Sequence, residues 1–326
     1  MAEEADDKRQ APQDELDMVA LVDERFKQSQ DARQGFDSLW YICANFLISN
    51  QWISFNPASR TVEDLTRGSG KRRAWQLYPV HNIILPRVRK ALGKLLGIRP
   101  KPVGAPSSNE QEDKDSAHIA TKLLDYLWTE LNIDKAMRRA ATWLLTTGNV
   151  IFKVYWDNQV GTDVPVAVKD ELGNAVRDED GRPVTEARHM GQVGVGVVSP
   201  FEFYTDPNVL EWDDMRWWIH AFQQPISALK EAYGERAEGL GTDQAKNEAG
   251  PYSMSRLSTT VGTQTGLQGA SPRESEVVLV KECWEKPTPK HPKGRFTVTA
   301  GGQILVPPQD WPHGITDNPF IKAEYF

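Results

Sequence analysis

The chain has 326 residues, 39% of them hydrophobic and 25% charged, with a formal net charge of -7. That balance predicts a soluble globular protein of one large domain or two ordinary ones, and it argues against a tight, sequence-reading grip on DNA, which needs a basic surface. Two cysteines, Cys43 and Cys283, are too few for a disulfide scaffold or a zinc cluster. The opening Met1-Ala2-Glu3-Glu4 is no signal peptide, and no run of about 18 apolar residues predicts a membrane span.

Residues 1–14 are charged and polar, which predicts a disordered acidic start. Over residues 15–50 the apolar positions recur at helical spacing. Leu16, Val19, Val22 and Phe26 form one stripe; Phe36, Leu39, Trp40, Cys43, Phe46 and Leu47 form a second, with a kink or break expected near Gly35. A loop follows through Pro57 and Gly68-Ser69-Gly70. Asn82 or a neighbour starts the next helix, with Pro86 in its first turn. There Ile84, Leu85, Val88, Leu92, Leu95 and Leu96 face inward, and Arg87, Lys90 and Lys94 face out.

Residues 100–109 read as a Pro- and Ser-rich linker. A helix from about Asp113 to Leu131 comes next, with Ala120, Leu123, Leu124, Leu127 and Leu131 inward. Asp134 reads as the N-cap of one more helix, and Gly148 as the residue that ends it. Then the period falls to two in Val150, Phe152, Val154 and Trp156, as a strand requires. Strand-like runs recur at 192–198, 215–223, 276–286, 295–300 and 303–306, with a short helix from Pro225 to Tyr233. Residues 234–274, rich in Gly, Ser, Thr and Gln, predict a mobile surface loop. Helices first and strands after predict an α+β fold with a mostly antiparallel β region.

Chemical motifs are sparse. Gly68-Ser69-Gly70-Lys71 lacks the upstream glycine of a phosphate loop, since that position is Leu65, and Arg72 follows the lysine. Asp178, Asp180 and Gly181 suggest a hairpin turn rather than a calcium loop, because Val176 occupies the first ligand position. The six histidines show no metal-ligand spacing, and no serine lies in a nucleophile elbow. Lys71-Arg72-Arg73 and the basic run from Arg87 to Lys101 predict a solvated face, or contacts with acidic neighbours or packed DNA.

Several elements occur in an order that resembles the portal proteins of short-tailed phages. Gln51-Trp52 closes the first helical stretch, although the glycine of the corresponding family element is not present. Asn82 opens a helix ending at Arg99-Pro100. Gly148 precedes a Lys153-containing strand, Asp180-Gly181 turns a hairpin, and Ser199-Pro200 and Asp206-Pro207 follow at family spacing. Trp217-Trp218 and Tyr233-Gly234 continue the series, so the likeness spans roughly residues 15 to 326. These residues read as structural turns, because Pro fixes φ and small polar side chains accept local hydrogen bonds.

The resemblance implies a non-enzymatic wing region, with residues 15–148 its helical part and 149–326 its β-rich part. The stem, clip and crown of longer portals are expected to be absent from this stretch. It implies a ring of about twelve subunits at one capsid vertex, assembled in the host cytoplasm, without cofactor, catalytic residue or metal. Implied partners are the major capsid and scaffolding proteins, the terminase large subunit, a tail adaptor, and double-stranded DNA that passes without sequence-specific binding. No membrane is involved. Two alternatives stand beside it. One is a smaller virion adaptor. The other is an enzyme whose site gathers dispersed residues such as Glu202, Asp206, Asp213 and His220.

Overall fold

The computed structural model describes residues 13–56, 61–65, 77–158, 160–161, 163–167, 185–241, 277–312 and 317–324. The glycine-rich loop at 68–71, the basic cluster Lys71-Arg72-Arg73, the Asp180-Gly181 hairpin and residues 242–274 lie outside the described residues.

Helix α1, Gln13–Leu47, is one helix of 35 residues. Residues 13 and 14 are thus helical, where a disordered start was expected. Gly35 does not break α1. A helical glycine costs about 1 kcal/mol, little beside the packing that holds a helix of this length. The first half buries Met18, Val19, Val22 and Phe26, while Leu16 is exposed. The second half departs from the expected stripe, for Phe36 is 62% exposed and Leu39 55%. The segment read as a loop carries a small hairpin, β1 (Ile53–Asn56) with β2 (Thr61–Asp64).

Three helices follow: α2 (Ile84–Leu96), α3 (Gln111–Glu130) and α4 (Ile133–Thr147). Helix α4 starts from Asn132, held at φ 50. Asp134 is not its N-cap. It lies in the first turn, where its Oδ1 accepts from Trp128 Nε1 at 3.0 Å. Gly148 ends α4 at φ 79, a left-handed angle open to glycine, and its N–H donates to Leu144 O.

The β region comprises β3 (Asn149–Asp157), β4 (Asp163–Ala167), β5 (Thr185–His189), β6 (Gln192–Val198), β7 (Phe203–Thr205) and β8 (Trp217–Pro225). Helix α5 (Ile226–Tyr233) comes next, then β9 (Val277–Glu285), β10 (Arg295–Ala300), β11 (Gln303–Gln309) and β12 (Phe320–Glu324). Strands β11-β10-β9-β8-β7 form one sheet, β12-β3-β6 a second and β4-β5 a third, with every pairing antiparallel. The fold is α+β. On β6, Gly194 leaves room for a ring from β3: a Cβ there would sit 2.6 Å from a Tyr155 ring carbon.

Alternation along β8 and β9 separates two cores. Trp217, Ile219 and Cys283 face α1, joining Val22 and Phe26. Trp218 and Trp284 face the other way and meet Ile151 of β3 and Phe320 of β12. The α1 half of the first core thus belongs to the β region. Ala237 and Leu240 are buried against α5 and β9, so residues 234–241 are packed rather than part of a mobile loop.

Candidate functional site

Sheets expose unpaired backbone groups at their edges, and β7 is an edge strand. Helix α1 covers that edge with side chains. Ser29 Oγ accepts from Thr205 N at 3.2 Å. The Arg33 guanidinium donates to three carbonyls: Pro200 O at 3.1 Å, Phe201 O at 2.8 Å, and Phe203 O. It also pairs with Asp37 at 3.0 Å and lies 3.9 Å from the centroid of the Tyr204 ring. Arginine suits this place because its planar fork serves several acceptors at once. Burial raises the Asp37 carboxyl above its ordinary pKa, against the pull of Arg33.

Beside this knot lies a cleft of about 410 Å³. Phe36 and Trp40 of α1 form one wall, Pro200, Asp206 and Pro207 the second, and Lys322 of β12 a third. Asp206 shapes the turn. Its Oδ1 accepts from Asn208 N at 3.1 Å and its Oδ2 from Arg216 Nε at 2.6 Å. Burial opposes ionisation of Asp206, but Arg216 and Asn208 outweigh it and hold the carboxyl below its ordinary value. The polar groups of the cleft are engaged: Arg33 with carbonyls, Ser29 with Thr205, and Lys322 with Glu324. Such a cleft can bind an apolar group; it places no activated nucleophile beside a base.

The other residues singled out in the sequence also sit at joints. Ser199 caps the 3-10 turn Pro200–Glu202 by accepting from Phe201 N at 3.3 Å. Trp52 Nε1 donates to Pro79 O at 3.3 Å, and its ring meets Tyr78 edge-on at 5.0 Å; Gln51 beside it is half-buried. Ser49, just before Gln51-Trp52, takes φ 73, an angle that favours glycine. Asn82 stabilises that turn, donating to Leu47 O at 3.0 Å and to Ser49 Oγ at 2.9 Å. Its Oδ1 accepts from Ile84 N and Leu85 N, both at 3.0 Å, so one side chain ties the end of α1 to the start of α2. Asn82→Asp keeps the acceptor and loses the donor. We expect Asn82→Ala to cost about 2 kcal/mol and Asn82→Asp less, measured by urea unfolding. Equal stability of both variants with wild type would refute the tie.

Arg87, Lys90 and Lys94 are exposed on α2. The dispersed acids and histidine have different surroundings. Asp206 takes Arg216, and Glu202 lies near Arg139, its carboxyl raised by burial. Asp213 lies in an exposed 3-10 turn.

His220 belongs to a triad between the two larger sheets that sequence reading missed. Glu282 of β9 pairs with Lys153 of β3, and His220 Nδ1 lies 3.5 Å from Glu282 Oε2 and 3.4 Å from Lys153 Nζ. Burial disfavours the charged Glu282, yet Lys153 and His220 outweigh it and hold the carboxyl down to about 2. Burial also lowers the pKa of His220, against the pull of Glu282. A second buried network joins Arg25 of α1 and Arg295 to Glu285. Beside it the Cys283 thiol is pushed up by burial to about 12, despite nearby Arg25, and so stays protonated and unreactive. No signal local to the sequence marks these groups, because the partners stand far apart along the chain.

Among the described residues no group of three or more His, Cys, Asp or Glu is placed to hold a metal ion, and no helix is long and apolar enough to cross a membrane. No family model matches this chain, and no curated protein matches it.

Proposed function

We propose that this chain is the wing region of a tailed-phage portal, a structural subunit of the ring at one capsid vertex. The observation that carries the reading is the placement of the residues behind the resemblance. Asn82 ties α1 to α2, Gly148 turns α4 into β3, and Ser199-Pro200 and Asp206-Pro207 shape the turns around the β7 edge. Each fixes the angle between two elements, which a ring subunit needs more than a reactive group.

In this reading the chain hydrolyses nothing. It forms the outer part of a ring through which a terminase feeds DNA, at a vertex shared with capsid, scaffolding and tail-adaptor proteins. Net negative charge suits a channel that DNA slides past without adhering.

The assembled particle tests this. The full product of the reading frame should form closed rings of about a dozen copies in negative stain, and a label on it should mark a single vertex. Deleting the gene should leave heads without DNA. A label spread over the whole shell, or packaging that proceeds without the protein, would overturn the reading.

A further inference from the structure

Helices α2 and α3 bury no residue fully. Helix α2 rests one side on α4 and leaves a second stripe in solvent. Ile84 is 37% exposed, Leu95 48%, and Ile98, just past the helix, 79%. Positions 84, 95 and 98 fall on one line of a helix of 3.6 residues per turn. Arg87 and Lys94 border one side of that line, and α2 carries four basic residues and no acid. Helix α3 repeats the pattern with opposite charge. Ile119, Leu123 and Tyr126 form its open stripe, exposed by 66%, 53% and 60%. Glu112 and Glu130 stand on the same line at either end, and α3 carries five acids against two lysines.

Contiguous apolar stripes rimmed by charge mark interaction surfaces. Here two of them are matched by helical spacing suited to side-by-side packing and by opposite rims. We infer that α2 of one copy docks against α3 of the next, joining copies of this chain head to tail through Ile84, Leu95 and Ile98 against Ile119, Leu123 and Tyr126. Such a contact uses two different patches, so it repeats around a closed ring rather than stopping at a pair. The inference deepens the ring reading above and rests on it. A basic amphipathic helix also suits an anionic membrane, but a membrane leaves the acidic stripe of α3 unexplained, whereas a second copy engages both.

Two variants of the full chain test it by sedimentation velocity. One reverses α2 (Arg87→Glu with Lys94→Glu); the other reverses α3 (Glu112→Lys with Glu130→Lys). All four sites are exposed, so folding is left intact, and circular dichroism checks this. Wild type should self-associate, and each reversal alone should weaken association at least about tenfold. The two variants mixed in equal amounts should associate again and grow with the two kinds alternating, because both contacts between unlike copies bring opposite charges together. Both reversals in one chain should restore association.

A monomeric wild type, or reversals that associate as wild type does, would overturn the inference. So would a mixture that stays monomeric, or wild-type binding to anionic vesicles without self-association. Closed rings from chains with either face reversed would reject this interface and leave the portal reading standing. Restored association in the double reversal, with no closed ring from wild type, would support the interface and count against the portal.

Discussion

Arg33→Ala should lower stability by about 3–5 kcal/mol, measured by guanidinium unfolding, because it strips partners from several groups at once. The carbonyls of Pro200, Phe201 and Phe203 lose their donor, and Asp37 is left buried without its cation. Arg33→Lys should recover less than half of the loss, since a lysine ammonium is a single point that cannot span those acceptors. Ser29→Ala, which removes one contact to the same edge, should cost only about 1 kcal/mol. The variant should also free the β7 edge, seen as faster proteolysis near residues 200–207 and changed fluorescence from Trp40 and Trp212, which line the cleft. An Arg33→Lys protein as stable as wild type would show that charge alone, not the fork, holds α1 in place.

Glu282→Ala should cost a similar amount, about 3–5 kcal/mol, by leaving Lys153 buried and unpaired between the sheets. The pH dependence has a definite sign. Glu282 has an ordinary value of 4.5 and is held at about 2 in the folded chain, so the unfolded state takes up its proton first. Its contribution is complete above pH 4.5 and falls away as pH drops towards 2, about 3 kcal/mol in all. His220 acts in the same direction. Its folded pKa lies below 6.5, so its share is present above pH 6.5 and declines as the medium is acidified. Glu282→Gln should flatten stability between pH 4.5 and 2, and His220→Phe should flatten it just below 6.5. Urea midpoints taken across pH 2–8 read both effects. A Glu282→Gln protein that loses stability over the acid range as steeply as wild type would rule out this carboxylate as the source.

The elements were legible where one residue's neighbours decide its state. Val150, Phe152, Val154 and Trp156 alternate, and they form β3; Gly148 and Asn82 mark helix ends by local chemistry alone. Sequence fails where the partner is distant. Leu123 and Leu95 have helical periodicity but stay exposed, because periodicity records an amphipathic face and not what covers it. Strand β12 was not recognised, for Phe320–Glu324 is a short edge strand whose pairing with β3 depends on residues some 170 positions earlier. Arg33, Glu282 and Glu285 carry no signal of their own. As for the cleft, its turns at Ser199-Pro200 and Asp206-Pro207 could be read, while the α1 wall facing them could not.

The long separation between α1 and its partners has a consequence for synthesis. Arg25 and Glu285 are 260 residues apart, and Asp23 and Lys281 are 258 apart. At about 5–20 residues per second a ribosome needs roughly 13–50 s to make the β9 strand after α1 has emerged. Through that interval Val19, Val22 and Phe26 have no sheet to cover them. The helix can form early, but its apolar face must stay out of contact with other nascent chains until the strands follow. Slowing elongation between codons 48 and 276 should therefore lower the yield of folded protein, measured as the soluble fraction.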